Sequence, residues 1–269
     1  MQLHFQKYSA TGNDFVVIDN RKRVMSAENV DLCYWLCHRN RGVGGDGVLL
    51  LEESKKASFR MRYVNADGRE VDMCGNGGRA ISHFASHVLK IPFFDKGEKV
   101  YTIETTNGVY SSIVKSQGEV WLRMVEVYDA GAIDLSIFSN FKKGFYVNTG
   151  VPHCVFEVND INTIDVFEVG REIRNHPLFV GGCNVNFFEK RDDDWYALRT
   201  YERGVEGETL SCGTGATALA IMLSETQGYR EKIDISTKGG ALSVIASRDY
   251  KELYLCGKVD KIFSGEVTI

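Results

Sequence analysis

The sequence lacks any run approaching the roughly 20 apolar residues that a membrane span requires. Its opening, Met1 to Tyr8, alternates polar and apolar residues like a strand and has neither the apolar core nor the cleavage site of a signal peptide, so the cytoplasm is the expected compartment. No basic run is longer than Arg21-Lys22-Arg23 and the net charge is −4, which leaves neither nucleic acid nor a membrane as an expected partner. The seven cysteines (33, 37, 74, 154, 183, 212 and 256) are odd in number and scattered, arguing against a disulfide framework. Cys33 and Cys37 are their only close pair, in a segment that reads as one face of a buried helix, so no metal site is expected. A full G-x-G-x-x-G after an apolar strand and a Walker lysine are both missing, which disfavours a nucleotide, and no lysine motif demands pyridoxal phosphate.

What is there is an ordinary globular balance, 43% hydrophobic and 25% charged, over 269 residues, enough for two domains of usual size. Self-similarity supplies the organisation. The segment Tyr63 to Ala80, with Cys74-Gly-Asn-Gly-Gly, resembles Tyr201 to Ala218, with Cys212-Gly-Thr-Gly-Ala, at a constant offset of 138. The same shift carries Tyr8, Thr11 and Gly12 onto Tyr146, Thr149 and Gly150, and Gly44 and Asp46 onto Gly182 and Asn184. One register through three motifs indicates two copies of one structural unit, with a turn-like boundary at Lys115 to Glu119.

Apolar β-rich runs at 15–18, 48–51, 100–103, 120–124 and 155–158 predict strands. Helices are predicted over Ser26–Cys37, opened by a capping serine, and over Asn76–Leu89, ended by Pro92 and the charged Asp95-Lys96-Gly97; Thr214–Leu223 is the repeat partner of the second. The fold class is α+β, each half a sheet wrapped on a helix. The expected lobes are 1–117 with 262–269, carrying Cys74, and 118–261, carrying Cys212, with the active site in the cleft between them.

In both copies the order is turn, cysteine, Gly-x-Gly, apolar helix, which places each sulfur at a helix amino terminus. The helix dipole and unpaired N–H groups there favour a thiolate, and the same N–H groups can hold a carboxylate. Glycines at 75, 77, 213 and 215 let a ligand approach the backbone. Two such sites facing one another would present a sulfur to each face of a carbon next to a carboxylate. Inversion needs this: a proton leaves one face and another arrives at the opposite face, so two bases are required. Cys33, Cys37, Cys154, Cys183 and Cys256 read instead as small core hydrophobes.

These residues resemble the diaminopimelate epimerase family nearly end to end, through Thr11-Gly-Asn-Asp-Phe15, Arg41-Gly-Val-Gly-Gly-Asp-Gly47, Asn65-Ala-Asp-Gly with Cys74-Gly-Asn-Gly78, Gly150-Val-Pro-His-Cys154, and Glu202-Arg-Gly leading to Cys212-Gly-Thr-Gly215. The resemblance implies conversion of L,L-diaminopimelate to the meso form, for lysine and peptidoglycan precursors, without cofactor or metal. It implies two pseudo-symmetric lobes, each a mixed, largely antiparallel β-sheet rolled around a central α-helix, with the last strand returning to the first lobe, and a homodimer.

By the family pattern Cys74 and Cys212 are the catalytic thiol and thiolate, and His153 and Glu202 tune them. Asn13, Asn65, Asn184, Glu202 and Arg203 contact substrate, while Gly75, Asn76, Gly213 and Thr214 cradle the reacting carboxylate. Without the family, His153 reads as a turn residue beside Pro152, Glu202 and Arg203 as a solvated pair, and Asn13 and Asn65 as turn formers. Val151 departs from the pattern where an asparagine is common, and Gly47 where some members have glutamine. The competing functions are a proline- or hydroxyproline-type racemase on the same scaffold and a non-catalytic amino-acid-binding protein.

Overall fold

Alternation of two in Gln2–Ala10 buries Leu3, Phe5 and Lys7 and, past an irregularity at Lys7/Tyr8, Tyr8 and Ala10, and the strand it forms opens a computed structural model that describes residues 2–92, 98–125, 127–134, 138, 141–191 and 194–269. The chain divides into two compact units, Met1–Arg123 with Gly257–Ile269, and Met124–Cys256.

The first unit contains β1 (Gln2–Ala10), β2 (Asn13–Asp19), α1 (Val30–Cys37), β3 (Gly47–Glu52), β4 (Phe59–Asn65), β5 (Glu70–Val71), α2 (Gly75–His87), β6 (Lys99–Thr105), β7 (Gly108–Val114) and β8 (Glu119–Arg123). The second contains β9 (Tyr128–Ala132), β10 (Gly144–Asn148), β11 (Pro152–Glu157), α3 (Val166–Arg174), β12 (Asn184–Lys190), β13 (Trp195–Glu202), β14 (Gly207–Thr209), α4 (Gly213–Gln227), β15 (Lys232–Thr237) and β16 (Gly240–Ala246). Strand β17 (Leu253–Thr268) begins in the second unit and continues in the first, where it runs antiparallel to β1 from Ala10↔Val259 to Gln2↔Thr268.

In the first unit β2–β3 and β4–β6 are parallel and the other ladders antiparallel, so the sheet is mixed and mainly antiparallel. It wraps α2, which touches β1, β2, β3, β4, β6, β7 and β8. The second unit repeats the scheme, with β11–β12 and β13–β15 parallel and α4 packed on β10, β11, β12 and β16. Helix α4 is buried on all sides from Gly215 to Leu223, as only a central helix can be.

The backbone confirms the duplication. Gly12 and Gly150, Gly44 and Gly182, and Gly68 and Glu206 are pairs 138 apart, and all six have positive φ. After the central helices the offset becomes 132: Gly108 and Gly240 both have φ 132°, and Thr105 and Thr237 donate a side-chain hydrogen bond to their carbonyls. The single register read from sequence therefore holds up to the helices and then shifts by six residues.

The boundaries differ from those expected at five places. The Lys115–Glu119 turn is a hairpin inside the first unit, because β8 pairs with β7 at Val114↔Val120 and Ser112↔Leu122; the division accordingly falls at Arg123/Met124 rather than 117/118. The return to the first unit comes at Gly257 rather than 262, since β17 already pairs with β1 at Val259. Helix α1 starts at Val30, not Ser26, because the Asn29 side chain takes the capping bond from Leu32 N at 3.2 Å. Helix α2 ends at His87, two residues before Leu89, and the Asp95-Lys96-Gly97 stretch expected to stop it lies outside the described residues. Helix α4 runs on to Gln227, where Gly228 with φ 93° ends it.

Candidate active site

In the first unit Cys74 is the N-cap of α2. Its backbone is extended (φ −133°, ψ 123°), and its sulfur accepts the Gly77 N–H at 3.4 Å. Gly77 lets the first turn lie close against the core: a Cβ at that position would sit 3.2 Å from Leu49 Cδ2. Of the sequence-predicted residues, Asn13 and Asn76 meet Cys74 at this point. Asn13 Oδ1 stands 3.7 Å from Cys74 Sγ and accepts from Asn76 Nδ2 at 3.3 Å. Asn65 closes β4 opposite Gly47, and its backbone shapes the turn through Asn65 N to Arg69 O and Gly68 N to Asn65 O, both 2.9 Å. Ala66 N donates to Asp46 O, placing that turn beside the loop that carries Asp46.

In the second unit Cys212 is the N-cap of α4 with closely similar backbone angles (φ −120°, ψ 112°), and its sulfur lies 3.4 Å from Thr214 Oγ1. Thr149 Oγ1 donates to Thr214 O at 3.4 Å, tying the Thr149–Gly150 turn to the helix start. His153 is a fully buried strand residue, not a turn residue. Asn186 Nδ2 donates to its Nδ1 at 3.0 Å, and Asn184 Nδ2 lies 3.5 Å from its Nε2. Burial, reinforced by the Arg203 charge, pulls the imidazole down to about 3.

Glu202 and Arg203 are more than a solvated pair. Burial pushes the Glu202 carboxyl above the ordinary carboxylate range, with the Thr209 hydroxyl opposing. Arg203 donates its backbone N–H to Asn184 Oδ1 at 2.8 Å and its guanidinium to the carbonyls of Gly181 and Gly182 at 3.2 Å each, which orients the Asn184 amide.

A family model described as diaminopimelate epimerase matches residues 5–133 and 145–262. The diaminopimelate epimerase of Flavobacterium psychrophilum is 36% identical over 98% of both chains, and that of Chlorobaculum tepidum is 37% identical over 97% of this chain and all of its own. The chain belongs to the diaminopimelate epimerase family. It is thus an enzyme of the isomerase class. Among solved structures, a Bacillus anthracis phenazine biosynthesis protein of the PhzF family superposes with a TM-score of 0.75 at 15% identity over the whole of both chains. A probable proline racemase from Agrobacterium radiobacter gives 0.71 at 16%, over 99% of this chain and 93% of its own. At such identities these two share the fold alone.

The departures from the epimerase pattern have local settings. A Cβ on Gly47 would fall 2.5 Å from the Tyr63 ring and 2.7 Å from Val64 O, so no glutamine fits while Tyr63 packs there. Val151, half-buried, contributes its carbonyl to Thr149 N at 3.1 Å in the turn before His153.

Three residues of these networks escaped the sequence reading. Asn186 is buried at the centre of a set formed by His153, Cys154 O and Thr200. Arg79 is wholly buried on α2, and Asp46 accepts from Asn13. A charged residue inside the apolar face of a helix, as Arg79 is, was the available signal.

Proposed function

We propose that the protein converts L,L-diaminopimelate to its meso form, with Cys74 and Cys212 as thiolate base and thiol acid on opposite faces of one α-carbon. The observation that carries this is that the two cysteines are the N-caps of repeat-related central helices, a position that favours thiolate and offers N–H groups to a carboxylate. The thiolate takes the α-proton, the electron pair spreads into the carboxylate, and the other thiol delivers its proton from the far side. The roles are then exchanged, which is why one pair serves both directions.

In this reading Gly75, Asn76, Gly213 and Thr214 hold the reacting carboxylate, and Asn13, Asn65, Asn184 and Arg203 hold the remaining polar groups. A substrate with a second amino-acid head group suits such an asparagine and arginine set better than proline does. His153, kept neutral, and Glu202, with its raised carboxyl, tune the thiols. The chemistry as written calls for no cofactor, and the family resemblance supports a homodimer and a cytoplasmic location. Among the described residues no helix is long and apolar enough to cross a membrane.

Turnover of L,L-diaminopimelate in deuterated water tests the reading. Deuterium is expected at one α-carbon of the product, and Cys74→Ala and Cys212→Ala are each expected to abolish inversion. Unchanged turnover in either variant rejects the two-base mechanism.

A further inference from the structure

At the start of α2, three hydrogen bonds run in one direction. Arg79 Nη2 donates to Asn76 Oδ1 at 2.6 Å, Asn76 Nδ2 to Asn13 Oδ1 at 3.3 Å, and Asn13 Nδ2 to Asp46 Oδ2 at 2.7 Å. An amide can present either end to a neighbour, but the two ends of this chain cannot: a guanidinium only donates and a carboxylate only accepts. The charged ends therefore fix the direction of both amides. Asp46 is itself held by Arg39 Nη2 at 2.8 Å and by Asp14 N at 3.1 Å, and Arg79 also donates to Thr11 Oγ1 at 3.0 Å.

The consequence falls on the sulfur. With Asn13 Nδ2 committed to Asp46, it is the carbonyl oxygen Oδ1 that stands 3.7 Å from Cys74 Sγ. An acceptor at that place receives the S–H of a thiol and opposes a thiolate, whereas the reversed amide would offer N–H groups and favour the thiolate. The second copy carries different residues at these places. At the offset of 138, Val151 stands for Asn13, Asn184 for Asp46, Thr214 for Asn76 and Thr217 for Arg79.

We infer that Asp46 and Arg79 are positioning residues that lock the Asn13 amide with its oxygen toward Cys74, holding that sulfur toward its protonated form. This rests on the reading of Cys74 as acid and base, but its test reads the sulfur directly and not turnover. Among the described residues, the charged groups linked to this chain of bonds are Lys7 on β1, Asp14 on β2, Arg39 and Asp46 between α1 and β3, and Arg79 on the helix; Asp72, two residues before Cys74, accepts from Thr106 Oγ1 at 2.9 Å.

The experiment follows iodoacetamide alkylation of Cys74 against pH in the full chain, with the modified peptide identified by mass spectrometry. Asp46→Ala is expected to lower the midpoint by about one pH unit, or about tenfold faster alkylation below it. Removing a negative charge would also favour the thiolate, so the same substitution is made in an Asn13→Ala background. If Asp46 acts through the amide, it has no further effect there. A midpoint unchanged in Asp46→Ala, or a shift that persists undiminished without Asn13, overturns the inference. Should Asp46→Ala not fold, Asp46→Ser, whose hydroxyl can donate or accept, makes the same test.

Discussion

Asn186 joins His153 to the first turn of α4: its Nδ2 donates to His153 Nδ1 at 3.0 Å, while its Oδ1 lies 2.3 Å from where a Cβ on Gly215 would be. That oxygen also accepts from Thr200 Oγ1 at 3.0 Å, so the amide is held from three sides and cannot move aside for a methyl group. The helix start bearing Cys212 and the strand bearing His153 thus share one buried contact. Gly215→Ala is expected to reduce kcat by at least tenfold and to lower the thermal midpoint. Asn186→Ala, which leaves His153 and Thr200 with lost partners, is expected to cost about 1–3 kcal/mol in urea unfolding. A Gly215→Ala enzyme with unaltered kcat and midpoint would show that this contact positions nothing.

Two histidines, His153 buried and His83 half-buried, set the response to acid. Burial pulls His153 to about 3 and His83 to about 4, in the latter helped by His87, stacked on it at 4.0 Å. Below the ordinary value of 6.5 the unfolded chain takes up protons that these folded imidazoles refuse. Stability from this source is therefore fully present above pH 6.5 and is lost as pH falls toward 4. The expected slope is about 1.4 kcal/mol per pH unit for each histidine. Urea midpoints measured from pH 7 to 4.5 should fall less steeply in His83→Gln, a residue with no part in the proposed chemistry. An identical slope in that variant would remove His83 from the account.

Thiol chemistry should sort the cysteines by burial. Cys74 is half-buried, whereas Cys33, Cys37, Cys154, Cys183, Cys212 and Cys256 are buried. Burial pushes Cys33 up to about 11 and Cys37 up to about 12, leaving almost no thiolate at neutral pH. Cys154 is raised further still by burial and by Cys183, whose sulfur lies 3.2 Å away. In native protein at pH 7.5, one equivalent of iodoacetamide is expected to label Cys74 first, with Cys33, Cys37, Cys154 and Cys183 reacting only after unfolding. Early labelling of Cys33 or Cys37 would contradict the packing.

What could be read without coordinates divides along physical lines. The predicted strands lie within β2, β3, β6, β8 and β11 or within one residue of them, because half-buried and buried strands need β-branched and aromatic runs that announce themselves. The helix starts at Cys74 and Cys212 were legible because glycine there answers a local demand of backbone geometry. Helix α3 was missed: it is short, its buried contacts reduce to Val166, Gly170 and Ile173, and its Asp165 cap resembles any loop aspartate. Asn186 and Asp46 were missed for another reason. Their roles lie in partners 33 residues away in each case, His153 and Asn13, and only the ladders β11–β12 and β2–β3 bring those together.

Gly47 gives a final test that separates space from conformation. Its φ is not in the left-handed region, so any residue could adopt its backbone, and what forbids a side chain is the Tyr63 ring at 2.5 Å and the Val64 carbonyl at 2.7 Å. Tyr63 is itself fixed by an edge contact with Phe15 at 5.9 Å, so the ring yields only at the expense of its own packing. Gly47→Ala is therefore expected to destabilise the protein by about 1–3 kcal/mol. Shortening the ring in Gly47→Ala/Tyr63→Val should recover only part of this, since the backbone carbonyl of Val64 stays where β3–β4 pairing holds it. Because Asp46 immediately precedes the strained residue, kcat should fall in both variants. Full recovery of stability in the double variant would mean that the ring alone excludes a side chain at 47, and a glutamine there would then be permitted by one compensating change.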